Sequence, residues 1–252
     1  MTVLETHAAI LARAFATNGL IDPLPEPVVA DDAAAARLQA AAISALGSPI
    51  AGWKIGATSA EAQAIMATTG PFYGPVFADR LWEDGAEIAL PQGFRGFECE
   101  FALRLGTDLP RREGGYRADQ LAIAVDAVVP AIEFVATRQR LAGMGDARRA
   151  RADFGFNHGL VLGTPRMPPP LAVLTDAAIV ARVDAVEVGR GTGAKVLGHP
   201  LEALAWLTRQ GLTLAAGDIV STGTCTGLGA LGPGQLAMSD FGDFGRVSCV
   251  AA

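Results

Sequence analysis

From residue 50 to the C-terminus, glycine and proline divide the chain into short apolar stretches, a pattern typical of strands joined by turns. The first 49 residues differ, because they contain two alanine-rich amphipathic patterns with helical spacing, at residues 5–17 and 33–46. Helices followed by many short strands predict an α+β fold. We therefore predict a helical N-terminal region over residues 1–49 and one integrated β-rich core over residues 50–252.

The same patterns predict individual elements in the second part of the chain. Helical spacing and capping residues predict helices over residues 59–68, from residue 119 to about residue 128, and from residue 199 to a stop at Gly211. Short apolar stretches predict buried strands over residues 159–163, 177–188 and 218–222, with alternating strand and turn over residues 235–250.

Charge and hydrophobicity exclude several classes of partner. The net charge is −6 and the densest basic cluster is Arg148, Arg149 and Arg151, so the basic stripe of a nucleic-acid-binding protein is missing. The sequence has no run of roughly 18 apolar residues, and its N-terminus lacks the basic start of a signal peptide. We therefore expect neither a nucleic acid nor a membrane as partner.

Cysteine usage and the low charged fraction predict where the protein works and how it assembles. Cys99, Cys225 and Cys249 form no metal-binding or redox spacing, which favours reduced thiols in a cytoplasmic protein. Charged residues make up 18% of the chain, below the roughly 25% of an average globular protein. Beside 50% hydrophobic residues, this indicates that some surface is buried between subunits and predicts a homo-oligomer.

Two carboxylates share one face of a predicted strand at residues 97–105. The apolar residues alternate there with period two, so Glu98 and Glu100 lie on the opposite face, roughly 7 Å apart. Carboxylates at this spacing repel each other, and glutamate is uncommon in strands. The segment alone leaves two interpretations open, a solvated strand face and a charge cluster that holds a ligand.

Glu133 shifts the balance towards a ligand site. Its neighbours in residues 128–135 are all apolar, and a lone buried carboxylate would cost several kcal/mol. Either this is an edge strand with Glu133 in water, or the charge is compensated. One divalent cation shared with Glu98 and Glu100 would compensate all three, and oxygen ligands favour Mg²⁺, Mn²⁺ or Ca²⁺ over zinc. An incomplete protein shell would leave open positions for a chelating substrate.

A single lysine and two glycine-rich segments complete the candidate features. Lys54 lies in an apolar strand between glycines, so it either extends into water from an edge strand or lies near the carboxylates. In the second case it could bind an anionic substrate or move protons. Residues 189–193 lack the strand–glycine–helix context of a phosphate loop, so we expect no nucleotide there. Residues 222–227 suit carboxylate recognition but are equally an ordinary turn.

Five stretches in fixed order resemble the 2-keto-4-pentenoate hydratase branch of the fumarylacetoacetate hydrolase superfamily. They are residues 52–59, 98–100, 129–133, 197–207 and 216–224. The resemblance runs from about residue 50 to the C-terminus and extends to the chain length and the helical N-terminal region. It implies a β-rich core like the C-terminal domain of fumarylacetoacetate hydrolase, a mixed β-roll or barrel, in an oligomer.

The resemblance also implies roles for particular residues. Mg²⁺ or Mn²⁺ is expected on Glu98, Glu100 and Glu133, and a small 2-keto or 2-enol carboxylate is expected as substrate. Two residues are implied as groups that move protons, Lys54 and the loop acid Asp79. Ser59 and Thr224 match positions that line the substrate side.

The implied reaction adds water to 2-hydroxypenta-2,4-dienoate or a close analogue and gives a 4-hydroxy-2-keto acid. A decarboxylase of the 4-oxalocrotonate type or a C–C hydrolase of the same superfamily is the first alternative, and a non-catalytic relative that binds a small acid is the second. The chain departs from the family pattern in two places. Many hydratases have Ala-Asp-Asn where this chain has Ala-Asp-Phe154, which bears on the far end of the substrate. The loop at residues 72–75 also departs from its usual acidic version.

Overall fold

The computed structural model describes residues 1–167 and 169–252. Over these residues the α-helices are α1 (Val3–Ala16), α2 (Asp32–Leu46), α3 (Ala60–Ile65), α4 (Ala118–Leu121), α5 (Ala147–Ala152) and α6 (Pro200–Thr208). The strands are β1 (Ile50–Gly56), β2 (Phe72–Phe77), β3 (Leu81–Glu83), β4 (Ala86–Ile88), β5 (Phe94–Leu105), β6 (Val125–Ala136), β7 (Asn157–Leu162), β8 (Ala178–Val183), β9 (Val186–Thr192), β10 (Ile219–Thr224), β11 (Leu236–Asp240) and β12 (Arg246–Ala251). Two helices followed by a β-rich remainder confirm the predicted α+β fold.

The strands form two mixed sheets. The larger sheet has the order β2-β1-β10-β5-β6-β7-β3, and the smaller has the order β4-β12-β11-β8-β9. In the larger sheet β1 pairs in parallel with β10, while β5 and β6 form a long antiparallel pair at its centre. Phe101 of β5 contacts Phe241 and Phe244, which follow β11 and thereby join the two sheets. The apolar faces of the sheets therefore share one core.

The N-terminal helices pack on the larger sheet through a second core cluster. Thr2 caps α1 and Asp31 caps α2 by accepting hydrogen bonds from backbone amides, while Gly47 ends α2 in a left-handed conformation. Leu11 and Phe15 of α1 join Phe77 of β2 and Phe154 in this cluster. The predicted boundary between residues 49 and 50 stays a prediction, although this cluster takes residues from both sides of it.

Two predicted elements differ from the structure. The helix predicted from residue 119 to about 128 is wrong beyond Leu121, because Val125 already pairs with Leu105 at the start of β6. Pairing with β5 satisfies the backbone there and overrides the local helical spacing. The single strand predicted over residues 177–188 is a hairpin, since Asp184 and Ala185 have φ of 47° and 69° and reverse the chain between β8 and β9.

Helix length bears on the expectation about membranes. The longest α-helix in the described residues is α2, with 15 residues, whereas a membrane-spanning helix needs about 20. The helices in the described part of the chain include none that is long and apolar enough to cross a bilayer.

Candidate active site

The three glutamates lie together on β5 and β6. Register pairs Glu98 of β5 directly with Glu133 of β6, and Glu100 lies two residues further along β5. One carboxylate oxygen from each residue lies within 4.8 Å of one from each of the others. Glu100 and Glu133 are 0% exposed, so the interpretation of a solvated strand face is wrong for them, and Glu98 is partly exposed. Like charges opposite each other destabilise a sheet unless something offsets them.

The hydrogen bonds of the two buried glutamates leave one oxygen of each without a partner. Glu100 Oε2 accepts hydrogen bonds from Ser221 Oγ (2.5 Å) and the Gly223 amide (2.9 Å). Glu133 Oε1 accepts from Asn157 Nδ2 (3.0 Å). Within the described residues, Glu100 Oε1 and Glu133 Oε2 are buried and have no hydrogen-bond partner. Unsatisfied buried carboxylate oxygens are costly, and hard divalent cations bind such oxygens, so the donor set fits a divalent cation.

Burial and mutual repulsion raise the pKa of each glutamate in the absence of a cation. Burial and then Glu133 raise the pKa of Glu100 to about 8. Burial and then Glu100 raise the pKa of Glu98 to about 7. Burial also raises the pKa of Glu133 to about 7, against the opposing effect of Lys54. The cluster therefore holds protons at neutral pH unless another positive charge replaces them.

Lys54 lies against this cluster. β1 lies between β2 and β10, so the alternative of a lysine extending from an edge strand is wrong. Its Nζ lies 3.2 Å from Glu133 Oε1 and donates a hydrogen bond to the Gly155 carbonyl (3.0 Å). Burial alone lowers the pKa of Lys54, but Glu133, Glu98 and Glu100 together raise it above its ordinary value. The side chain is therefore an ammonium at neutral pH, suited to binding an anion.

The carbonyl that Lys54 contacts belongs to an unusual loop. Phe154, Gly155 and Phe156 have φ of 52°, 68° and 57°, and the left-handed region is costly for phenylalanine. An ion pair next to the loop fixes it, since Arg138 Nε lies 2.5 Å from Asp153 Oδ1 and both residues are buried. Arg138 also donates hydrogen bonds to the carbonyls of Asp153 (2.6 Å) and Asn157 (2.7 Å).

Sequence reasoning missed this supporting network. Arg138, Asp153, Asn157 and Ser221 hold the loop and the glutamates, yet none was selected as a site residue. The sequence offered no local signal for the pair, because Arg138 is followed by Gln139 and Arg140 and Asp153 follows a cluster of arginines.

A cavity of about 360 Å³ opens beside the cluster, within the size range of small-molecule sites. Its lining includes Lys54, Glu98, Ser59 and Thr224, so the structure brings these predicted residues together. Ser59 also caps α3, where its Oγ accepts a hydrogen bond from the Ala62 amide. Asp79 is absent from this group. Asp79 is exposed in the short 3-10 helix Ala78–Arg80, which links β2 to β3.

The glycine-rich segment at residues 189–193 packs tightly against a neighbouring segment. Residues up to Thr192 belong to strand β9. A Cβ on Gly191 would lie 1.8 Å from the carbonyl oxygen of Cys225, so glycine is needed there for close backbone packing. This explains the glycine without a phosphate ligand.

Comparison with known proteins assigns this chain to a family. The model of the fumarylacetoacetate (FAA) hydrolase C-terminal family matches residues 53–250. The chain belongs to this family. A 2-keto-4-pentenoate hydratase of Dechloromonas aromatica is 32% identical over 98% of this chain and 97% of its own length. A 2-oxo-hept-4-ene-1,7-dioate hydratase of Escherichia coli is 29% identical over 89% of this chain and 87% of its own.

A solved structure has the same fold over nearly the whole chain. It is 4-oxalocrotonate decarboxylase from Pseudomonas putida G7, complexed with magnesium and adipate, with a TM-score of 0.89 and 24% identity. The alignment covers 99% of this chain and 97% of that one. The predicted family and its fold are confirmed, as is the prediction that the chain is an enzyme of the hydratase type.

Proposed function

We propose that this protein is a divalent-metal-dependent hydratase that adds water to 2-hydroxypenta-2,4-dienoate or a close analogue. The product is a 4-hydroxy-2-keto acid. The observation that carries the proposal is the group of three glutamates, of which Glu98 lines the cavity while Glu100 and Glu133 each have a buried oxygen without a partner in the described residues. Relatives named as hydratases, similar over nearly the full chain, support the type of reaction.

In this proposal Glu98, Glu100 and Glu133 hold Mg²⁺ or Mn²⁺. When bound, the cation would stabilise negative charge that develops on the C2 oxygen of the substrate. Solved structures of the same fold support a divalent ion, since they contain magnesium, calcium or, in a fumarylpyruvate hydrolase with a TM-score of 0.61, manganese.

Lys54 is the group we propose to move protons. Its ammonium lies at the cavity wall between Glu133 and the Gly155 carbonyl, so it can donate a proton to the substrate chain or orient the substrate. Ser59 and Thr224 also line the cavity and offer hydroxyls to the substrate. Asp79 is left out because it is exposed and does not line the cavity.

The test is turnover of 2-hydroxypenta-2,4-dienoate by the purified protein with Mg²⁺ and with EDTA. Loss of the dienol absorbance and formation of a 4-hydroxy-2-keto acid only with Mg²⁺ would support the proposal. Glu98→Gln should abolish most turnover, because it removes one of three ligands. Release of CO₂ from 4-oxalocrotonate without hydration of the dienoate would favour the decarboxylase instead. If Mg²⁺ neither binds nor raises the melting temperature and Glu98→Gln changes nothing, the proposal fails.

We also retain the prediction of a homo-oligomer. Val186 and Val188 are exposed on β9, which is an edge strand of the smaller sheet, and such an edge can pair with another chain. Light scattering during size-exclusion chromatography checks this, and a mass of one chain, 25.9 kDa, would contradict it.

A further inference from the structure

Lysine is confined to one place in this protein. The chain has 2 lysines beside 18 arginines, and both lysines, Lys54 and Lys195, line the cavity. In globular proteins lysine is normally among the commonest residues, and it lies mostly exposed at the surface. Its restriction to the cavity indicates that both ammonium groups act there, whereas the proposed function uses only Lys54.

The two lysines differ in how firmly they are held. Lys54 is buried, 3.2 Å from the buried Glu133 carboxylate, and donates a hydrogen bond to the Gly155 carbonyl. The Lys195 side chain is 30% exposed, and its carboxylate partner in the described residues is Glu61, whose Oε2 lies 3.8 Å from Nζ. That distance exceeds a hydrogen bond, and the Glu61 side chain is 74% exposed, so the pair contributes little to stability. Lys195 can therefore exchange Glu61 for a ligand at little cost.

Lys195 lies on the polar side of the cavity. A Cβ on Gly227 would lie 3.8 Å from its Nζ, so the ammonium lies beside the turn that carries Thr224 and Gly227, both of which line the cavity. Glu98 is near as well, because Lys195 opposes the rise that burial and Glu100 cause in the pKa of Glu98. The side of the cavity next to the glutamates thus has an ammonium that is free to change its partner.

Another part of the cavity wall is apolar. Met66, Phe72, Val135 and Phe156 line it and belong to one hydrophobic cluster. A carboxylate placed against these side chains would lose water without gaining a partner, which is costly. The carboxylate of a 2-keto acid is therefore stabilised on the polar side, within reach of Lys195.

We propose that Lys195 binds the carboxylate of the 2-keto acid substrate and that Glu61 is the carboxylate that the substrate replaces. The inference rests on the proposed function, which assigns Lys54 to proton transfer and leaves Lys195 without a role. An ammonium that exchanges one carboxylate for another has a charged partner before and after the exchange, and a hydrogen bond between two charged groups is stronger than the long contact with Glu61.

The first test measures binding of the unreactive ligand 2-oxopentanoate to the Mg²⁺-loaded protein by calorimetry. Lys195→Met should weaken binding about tenfold or more, because a hydrogen bond between charged groups is lost. Lys195→Arg keeps the charge and should restore most of the affinity. Arg117→Met is the matched control, since it removes a positive charge from an exposed pair outside the cavity lining and should leave the affinity unchanged.

Glu61→Gln gives a sharper test, because the inference predicts an effect of opposite sign. Loss of the competing carboxylate should strengthen binding of 2-oxopentanoate about two- to fivefold. This gain should disappear when Glu61→Gln is combined with Lys195→Met, since Glu61 then has no ammonium to occupy. An equal gain with and without Lys195 would show that Glu61 only repels the ligand, and it would overturn the proposed exchange.

Acetylation of lysine gives a readout that is independent of turnover. The Lys195 side chain is 30% exposed and the Lys54 side chain only 3%, so N-hydroxysuccinimidyl acetate should react with Lys195 first. Saturation with 2-oxopentanoate and Mg²⁺ should slow acetylation of Lys195 severalfold, as measured by mass spectrometry of its peptide. The N-terminal amine of the exposed Met1 is the internal control and should react at the same rate with and without ligand. Acetylation of Lys195 at an unchanged rate would contradict the inference.

The outcomes also separate this inference from the proposed function. If neither oxalate nor 2-oxopentanoate binds to the Mg²⁺-loaded natural protein, the proposed function itself fails. If 2-oxopentanoate binds equally well to the natural protein and to Lys195→Met, only the role of Lys195 fails. With the dienoate as substrate, Lys195→Met should raise KM about tenfold and leave kcat nearly unchanged, as expected for a residue that binds substrate and transition state equally.

Discussion

The Lys54 ammonium lies among three carboxylates and beside an aromatic ring, so a single side chain links the charged and apolar sides of the cavity. The glutamates repel one another, and Lys54 offsets part of that repulsion through Glu133. A cation bound to the glutamates and the ammonium would repel each other. Two roles are proposed for the site, metal binding by the glutamates and proton transfer by Lys54. Only proton transfer needs Lys54, so the two roles can be tested separately.

We expect Lys54→Met to lower kcat about 10²- to 10⁴-fold, the range typical of a lost general acid, without weakening Mg²⁺ binding. Methionine keeps the length of the side chain and removes the positive charge, which leaves the glutamates more negative. Steady-state kinetics and Mg²⁺ titration measure the two effects separately. Weaker Mg²⁺ binding in Lys54→Met would mean that the lysine supports the metal site instead of the proton transfer.

Asp153 and Arg138 form the other buried charge pair near the cavity. Asp153 accepts hydrogen bonds from the Arg138 amide (2.7 Å) and from Thr137 Oγ1 (3.0 Å) as well as from the guanidinium. Breaking a buried pair by removing one charge leaves the other uncompensated. The loop at Phe154–Phe156 depends on this pair, because its left-handed residues persist only where their surroundings hold them.

Asp153→Asn should therefore lower the free energy of unfolding by about 3–5 kcal/mol, measured by urea denaturation. Asp119→Asn is the matched control, since Asp119 pairs with Arg117 at the exposed surface and should change stability too little to measure. Equal effects of the two substitutions would contradict the supporting role of the Arg138–Asp153 pair.

Strands β5 and β6 show which features of the fold the sequence can predict and which it cannot. Period two in β5 predicts that Glu98 and Glu100 share a face, because alternation is a local property of a strand. The register that sets Glu98 opposite Glu133 joins residues far apart in sequence and depends on pairing across the whole sheet. The predicted group of three glutamates relied on the family resemblance for that step.

Helices show the same limit. The capping residues Thr2 and Asp31 act within a few residues, and the helices that follow them were predicted to within about two residues. Residues 122–128 also have helical spacing, yet Val125 onwards pairs with β5. Asp79 shows the opposite case, because its motif position suggested a role, yet the side chain is exposed and does not line the cavity.

The contact between strands β1 and β2 also gives a prediction. Gly56→Ala should destabilise the protein and displace the Phe72 ring, since the new Cβ would meet ring atoms at 2.5 Å. We expect a cost of about 1–3 kcal/mol in the free energy of unfolding. Thermal and urea denaturation measure this cost.

Two further variants check that the contact is responsible. Gly70→Ala is the control, because a Cβ at residue 70 meets nothing within 4 Å. Combining Gly56→Ala with Phe72→Leu should recover part of the lost stability, since leucine lacks the ring that the new Cβ meets. Costs that simply add in the double variant would show that the two residues do not interact.

For the whole molecule, the glutamate cluster couples folding to pH. The pKa values of Glu98, Glu100 and Glu133 rise from the ordinary 4.5 to about 7, 8 and 7. Between pH 4.5 and these values the folded protein binds more protons than the unfolded chain. Their contribution to stability is therefore fully present below about pH 4.5 and is lost as the pH rises to about 7–8. A bound cation needs the ionised glutamates, so it acts in the opposite direction.

Mg²⁺ should consequently stabilise the protein more at pH 8 than at pH 6. At pH 6 the ion must displace protons, and each protonated carboxylate weakens its apparent affinity about tenfold for every pH unit that separates its pKa from pH 6. Once Mg²⁺ is about 100-fold above its dissociation constant, it adds about 2.7 kcal/mol to the free energy of unfolding. Calorimetric melting with Mg²⁺ and with EDTA at both pH values measures the difference. Glu100→Gln removes the glutamate with the highest of these pKa values and should make the stabilisation by Mg²⁺ depend less on pH. If Mg²⁺ raises the melting temperature of the natural protein equally at both pH values, the ion binds elsewhere.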